Sequence, residues 1–130
     1  MRPALPAAAA ALACGAMLPL SLAPFGFWPL GIAPLAGWFA LLRSRHISGA
    51  ASGWLFGVGK YGVGASWVYV SIHVYGNAPP LLAGFLVVLF VAGLALFTLA
   101  NGWLYDRLAR RRPWLDGALF VALFSGFEWL

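Results

Sequence analysis

The sequence predicts an all-α protein, a polytopic bundle of about five transmembrane helices with its N-terminus in the cytoplasm. Three observations predict it. First, 63% of the 130 residues are hydrophobic and 8% are charged, whereas an ordinary soluble domain carries roughly 25% charged residues. A compact protein of this size exposes more surface than 8 Lys+Arg and 3 Asp+Glu can cover. Second, no charged residue lies between Arg2 and Arg43, or between Lys60 and Asp106, and one helical span needs about 20 apolar residues. Third, the alternation of short strands that a membrane β-barrel requires is absent. The same composition, with a mean hydropathy of +0.90, excludes intrinsic disorder.

The elements follow in order, as one N-terminal transmembrane domain over residues 1–130. The first segment, residues 4–22, is rich in Ala and Leu and stops at Ala23-Pro24-Phe25-Gly26-Phe27-Trp28-Pro29. Two prolines and a glycine end a helix on steric grounds, and the aromatics suit a membrane interface. The second segment, 28–42, contains Pro34, which predicts a kink, and ends at Arg43-Ser44-Arg45-His46. The third, 47–72, carries Gly49, Gly53, Gly57 and Gly64 at spacings that place them on one helix face. Small residues let helix backbones approach closely in lipid, so this helix is expected at the centre of the bundle. A turn without Lys or Arg, residues 73–80, leads to the fourth segment, 81–105, which carries no charge. A basic loop, Asp106 to Pro113, precedes the fifth, 114–130. That segment stops on Phe127-Glu128-Trp129-Leu130 without a polar exit, and the protein is expected to continue beyond it.

Charge placement sets the orientation. Arg2, the Arg43/Arg45 turn and the Arg107–Arg112 loop alternate with two turns that lack Lys and Arg. The positive-inside rule puts the basic ones in the cytoplasm. The net charge of +5 is therefore no sign of nucleic-acid binding, because six of the eight basic residues lie in two short clusters between apolar runs. No nucleic acid is expected as a partner; membrane lipids are.

The inventory for chemistry is small. With two histidines, one cysteine and three acids, no Ser/His/Asp set, carboxylate pair or metal cluster assembles, and neither metal nor cofactor is implied. Gly57-Val58-Gly59-Lys60-Tyr61-Gly62 fits G-x-G-x-x-G, but no acidic residue follows at the distance a dinucleotide site needs, so helix packing explains it better. Ala11-Leu12-Ala13-Cys14-Gly15 half resembles a lipoprotein signal. The apolar run continues past Cys14, unlike a cleaved signal, which leaves that residue as a small packing group.

Lys60 lies inside an apolar span, where a charge is costly and marks a functional candidate; a structural snorkelling lysine is the plainer alternative. It falls about 18 Å from the cytoplasmic end of its segment, and Glu128 about 21 Å from the cytoplasmic end of its own. Similar depth predicts a Lys60–Glu128 pair. Trp67, Tyr69, His73 and Tyr75 are expected at the non-cytoplasmic mouth, as an aromatic interface belt or as a contact for lipid or substrate.

Specific residues then add a resemblance. The runs Leu22-Ala23-Pro24-Phe25-Gly26-Phe27-Trp28-Pro29 and Phe127-Glu128-Trp129-Leu130 are similar to segments of bacterial apolipoprotein N-acyltransferases. The run from Gly53 to Ile72, with G-x-x-x-G-x-G-x-x-G-x-G followed by Trp67-Val68-Tyr69-Val70-Ser71-Ile72, is closer still. The resemblance implies inner-membrane enzymes that transfer an acyl chain from a phospholipid to the N-terminal S-diacylglyceryl-cysteine of a lipoprotein. It implies a ping-pong mechanism through a cysteine thioester and a Glu-Lys-Cys triad in a periplasmic nitrilase-like domain outside this segment. Cys14, Lys60 and Glu128 do not match the triad, so no catalytic residue is assigned, and the segment alone is expected to be inactive. A phospholipid acyl donor and a diacylated apolipoprotein are the implied partners. The rival classes are a small transporter or channel coupled through Lys60, for which no internal repeat is found, and a membrane scaffold with glycine faces.

Overall fold

A computed structural model describes residues 4–22 and 26–129. These form six α-helices, with no strand among the described residues: α1 (Ala4–Met17), α2 (Pro29–Ser44), α3 (Gly49–Gly64), α4 (Ser66–Val70), α5 (Pro80–Leu108) and α6 (Pro113–Trp129). A 3₁₀ turn, Leu18–Ser21, follows α1, and a π-turn, Ser71–Tyr75, follows α4. The all-α expectation holds. Arg2, the Ala23–Phe25 part of the first expected turn and Leu130 lie outside the described residues.

Sequence chemistry sets the helix ends. Pro29, Pro80 and Pro113 each open a helix, where the missing proline N–H has no partner to lose. Ser48 caps α3, its Oγ accepting from Ala51 N at 3.2 Å. The third expected segment is not one continuous helix. It breaks at Ala65 (φ −101°, ψ 13°), between α3 and α4. Gly62 and Gly64 weaken the helix immediately before the break, each by about 1 kcal/mol relative to alanine. Pro34 sits buried inside α2.

The third segment is central: α3 packs along both α1 and α5. Close approach depends on missing side chains at two seams. On the α5 side, a Cβ at Gly49 would collide with the Gly102 carbonyl oxygen and one at Gly102 with that of Gly49. Gly53 and Gly57 continue the same seam against Thr98 and Ala95. On the α1 side, a Cβ at Gly15 would fall on the Phe56 carbonyl oxygen, and one at Gly59 on that of Leu12. Gly64, expected to share a face with Gly49, Gly53 and Gly57, instead meets the Pro19 ring at the end of α3.

The remaining core is aromatic. Trp38 is fully buried and stacks on Phe56 (centroids 4.3 Å apart), with Phe120 packed edge to face at a centroid distance of 5.5 Å. Its indole N–H donates to Ser52 Oγ at 3.3 Å, and Ser52 donates to the Gly49 carbonyl at 3.1 Å. A buried indole is thus satisfied from the same helix that carries the glycine seams. By length and composition, one helix among the described residues, α5, suffices to cross a membrane; the apolar run Leu5–Ser21 is shorter.

Candidate functional site

Where α3 ends, the bundle opens into a cleft of about 480 Å³. Its walls come from the turn after α1, the starts of α2 and α4, the α3 terminus, Phe90 and Leu94 of α5, and the last turns of α6. The lining is mostly apolar, and its charged groups meet at one place. There Lys60 Nζ forms an ion pair with Glu128 Oε1, the side chains being 13% and 43% exposed. The ammonium also lies 4.9 Å from the Tyr61 ring centroid and 5.4 Å from that of Phe124. One carboxylate and two aromatic faces therefore surround it, an arrangement that holds a cation in apolar surroundings.

The structure divides the four expected mouth residues. Trp67 lines the same cleft as Lys60 and Glu128. Tyr69 and His73 pack ring to ring at 5.5 Å. His73 Nδ1 donates to the Ala78 carbonyl at 2.9 Å, so its imidazole closes the turn between the π-turn and α5. Tyr75 is 85% exposed. Of the four, Trp67 alone lines the cleft.

Two acids not singled out from the sequence also organise the bundle. Asp106 Oδ2 accepts from Gly49 N at 2.5 Å, capping α3 from the end of α5. Asp116 is buried, and its Oδ1 accepts from Arg110 N at 3.1 Å. Spacing alone could not reveal the first contact, because cap and amide are 57 residues apart. Among the described residues, no group of three or more His, Cys, Asp and Glu gathers where a metal ion could be held.

A family model for the apolipoprotein N-acyltransferase N-terminal domain matches residues 14–130. The chain belongs to this family. The resemblance read from residues 22–29, 53–72 and 127–130 is therefore borne out. An apolipoprotein N-acyltransferase of Pseudomonas syringae pv. tomato is 43% identical across 99% of this chain. Those of Coxiella burnetii and Azotobacter vinelandii are 44% and 41% identical, across 92% and 99% of it. The chain spans 28% of the length of each of these relatives. Lys60, Glu128 and the whole lining of the cleft fall inside the matched family region.

Proposed function

We propose that this chain is the membrane platform of an apolipoprotein N-acyltransferase. The full enzyme would transfer an acyl chain from a phospholipid to the N-terminal S-diacylglyceryl-cysteine of a lipoprotein. The observation that carries the reading is the family match over residues 14–130, in a chain spanning 28% of its relatives. In this reading the platform crosses the bacterial inner membrane about five times, over 4–22, 28–42, 47–72, 81–105 and 114–130, with its N-terminus in the cytoplasm. Catalysis belongs to the remainder of the enzyme, and the platform alone is inactive.

The surface supports lipid as solvent. Leu81, Phe85 and Val88 on α5 are 89%, 62% and 67% exposed, an apolar patch on one helix face of the kind that contacts lipid or a partner. The charge layout agrees. α5 is 29 residues long, about 43 Å at 1.5 Å per residue. It therefore separates the turn at 73–79, free of Lys and Arg, from the basic end that carries Arg107, Arg110, Arg111 and Arg112. The Asp106–Gly49 contact brings the Arg43/Arg45 turn to that same basic end. The cleft then opens toward the opposite face, where it would take hydrocarbon of a lipid substrate. Trp67, Tyr69, His73 and Tyr75 form the mouth beside it.

A chimera tests the reading. The corresponding segment of the Pseudomonas syringae relative is replaced by this chain in a strain lacking its own enzyme. Triacylated lipoprotein peptides, read by mass spectrometry, are the expected product. A chimera that inserts in the membrane and leaves the peptides diacylated would overturn the assignment. This chain expressed alone is expected to give none.

A further inference from the structure

A second cavity, of about 330 Å³, lies at the basic end, between the turn after α2 and the loop between α5 and α6. Unlike the cleft, it has a strongly polar wall. Arg43, Arg45 and Arg111 line it together with Ser44, Asp116 and Tyr105. Among the described residues, none of the three arginines lies within ion-pair distance of a carboxylate. Three guanidiniums against one carboxylate leave the cavity net positive. Asp116 already spends Oδ1 on the Arg110 amide. Tyr105 is 2% exposed, and its buried hydroxyl finds no hydrogen-bond partner among the described residues.

The backbone adds an independent sign. Arg45 (φ 55°) and Arg111 (φ 60°) both adopt the left-handed conformation. Glycine or asparagine takes that conformation at less cost. A preference for basic residues at this end accounts for arginines somewhere in these turns. It does not account for their occupying the two strained positions, or for three of them converging on one cavity.

We propose that this cavity binds a phosphate group, carried by an anionic phospholipid headgroup or supplied as free phosphate. Arginine forks match phosphate oxygens two at a time, and three of them line this wall. Basic pockets between membrane helices on the cytoplasmic side suit headgroups of the inner leaflet. The cavity is read from geometry; its placement at the cytoplasmic leaflet rests on the membrane reading above. The site lies at the opposite end of the bundle from the cleft assigned to substrate, so it would anchor and orient the platform without supplying an acyl donor.

The full chain, purified in detergent and stripped of lipid, is titrated with phosphatidylglycerol and, separately, with inorganic phosphate. Native mass spectrometry and ³¹P resonance report binding. The test variant is Arg45→Asn/Arg111→Asn. Asparagine suits both backbone positions, so helicity by circular dichroism is expected to be unchanged. The control, Arg110→Asn/Arg112→Asn, removes the same charge from outside the cavity. The test variant is expected to bind at least about tenfold more weakly, the scale of one lost charge-assisted hydrogen bond. The control should change by less than about threefold. Loss confined to phosphatidylglycerol assigns the phosphate to a lipid; loss of inorganic phosphate binding as well assigns it to the free ion. Equal weakening in test and control, or no binding of either probe by the parent chain, overturns the proposal. The chimera experiment can fail while this site still binds, and the reverse also holds.

Discussion

The two ends of the bundle use charge in opposite ways. At the arginine-bearing end the acids serve the backbone: Asp106 caps α3 and Asp116 accepts from Arg110 N. The arginines there are exposed and need no protein counter-ion. At the cleft end Glu128 serves a side chain, holding Lys60 among aromatic rings. The difference teaches that surroundings, more than residue type, decide what an acid does. Where water reaches, an arginine is solvated and an acid is free to cap a helix. Where the wall is apolar, a cation must find its anion within the protein.

The largest expected effect would break the basic end. Gly102→Val drives side-chain atoms into the Gly49 carbonyl and pushes α5 off α3, which also pulls Asp106 from its amide. A loss of about 3 kcal/mol is expected, at the upper end for overpacking, and thermal unfolding in detergent measures it. Unchanged stability would mean that the two helices are not in contact there.

The next tests the cleft end. Lys60→Met or Glu128→Gln leaves a partner uncompensated, and each should cost about 2 kcal/mol, discounted because Glu128 is 43% exposed. The double substitution should cost no more than either single one. Additive losses in this cycle would show that the two side chains act independently.

The smallest effect separates a cap from a bystander. Asp106→Ala should cost about 1 kcal/mol through the lost cap. Tyr75→Ala, at an exposed side chain, should stay within about 0.5 kcal/mol. Denaturant midpoints of the two variants, measured side by side, check the contrast.

Much of the fold was legible because its causes are local. Proline marks the start of α2, α5 and α6, and the glycine spacing of the third segment marks one packing face, the α5 seam, but not the α1 seam at Gly15 and Gly59. Its break at Ala65 is less legible, because Gly62 and Gly64 read as packing residues and also weaken the helix. The aromatic core was missed for a different reason. In a chain so rich in apolar residues, nothing distinguishes Trp38 from the exposed Trp114 until the helices are set against one another. Depth along each segment gave a reason to consider Lys60 and Glu128 together, and the structure brings them into contact. Depth could not foresee the Tyr61 and Phe124 rings around the ammonium, nor the arginine-lined cavity, which depends on two turns meeting far apart in sequence.

The glycine seams on two sides of α3 have a consequence for how such a chain can change length. At 3.6 residues per turn, inserting one residue between Gly53 and Gly57 would swing everything beyond it by about 100°. Gly57 would leave α5, Gly59 would leave α1, and bulkier neighbours would jam both contacts together. The central helix therefore behaves like a key cut on both edges, intolerant of any shift in phase, and natural length variation should accumulate in the connections at either end.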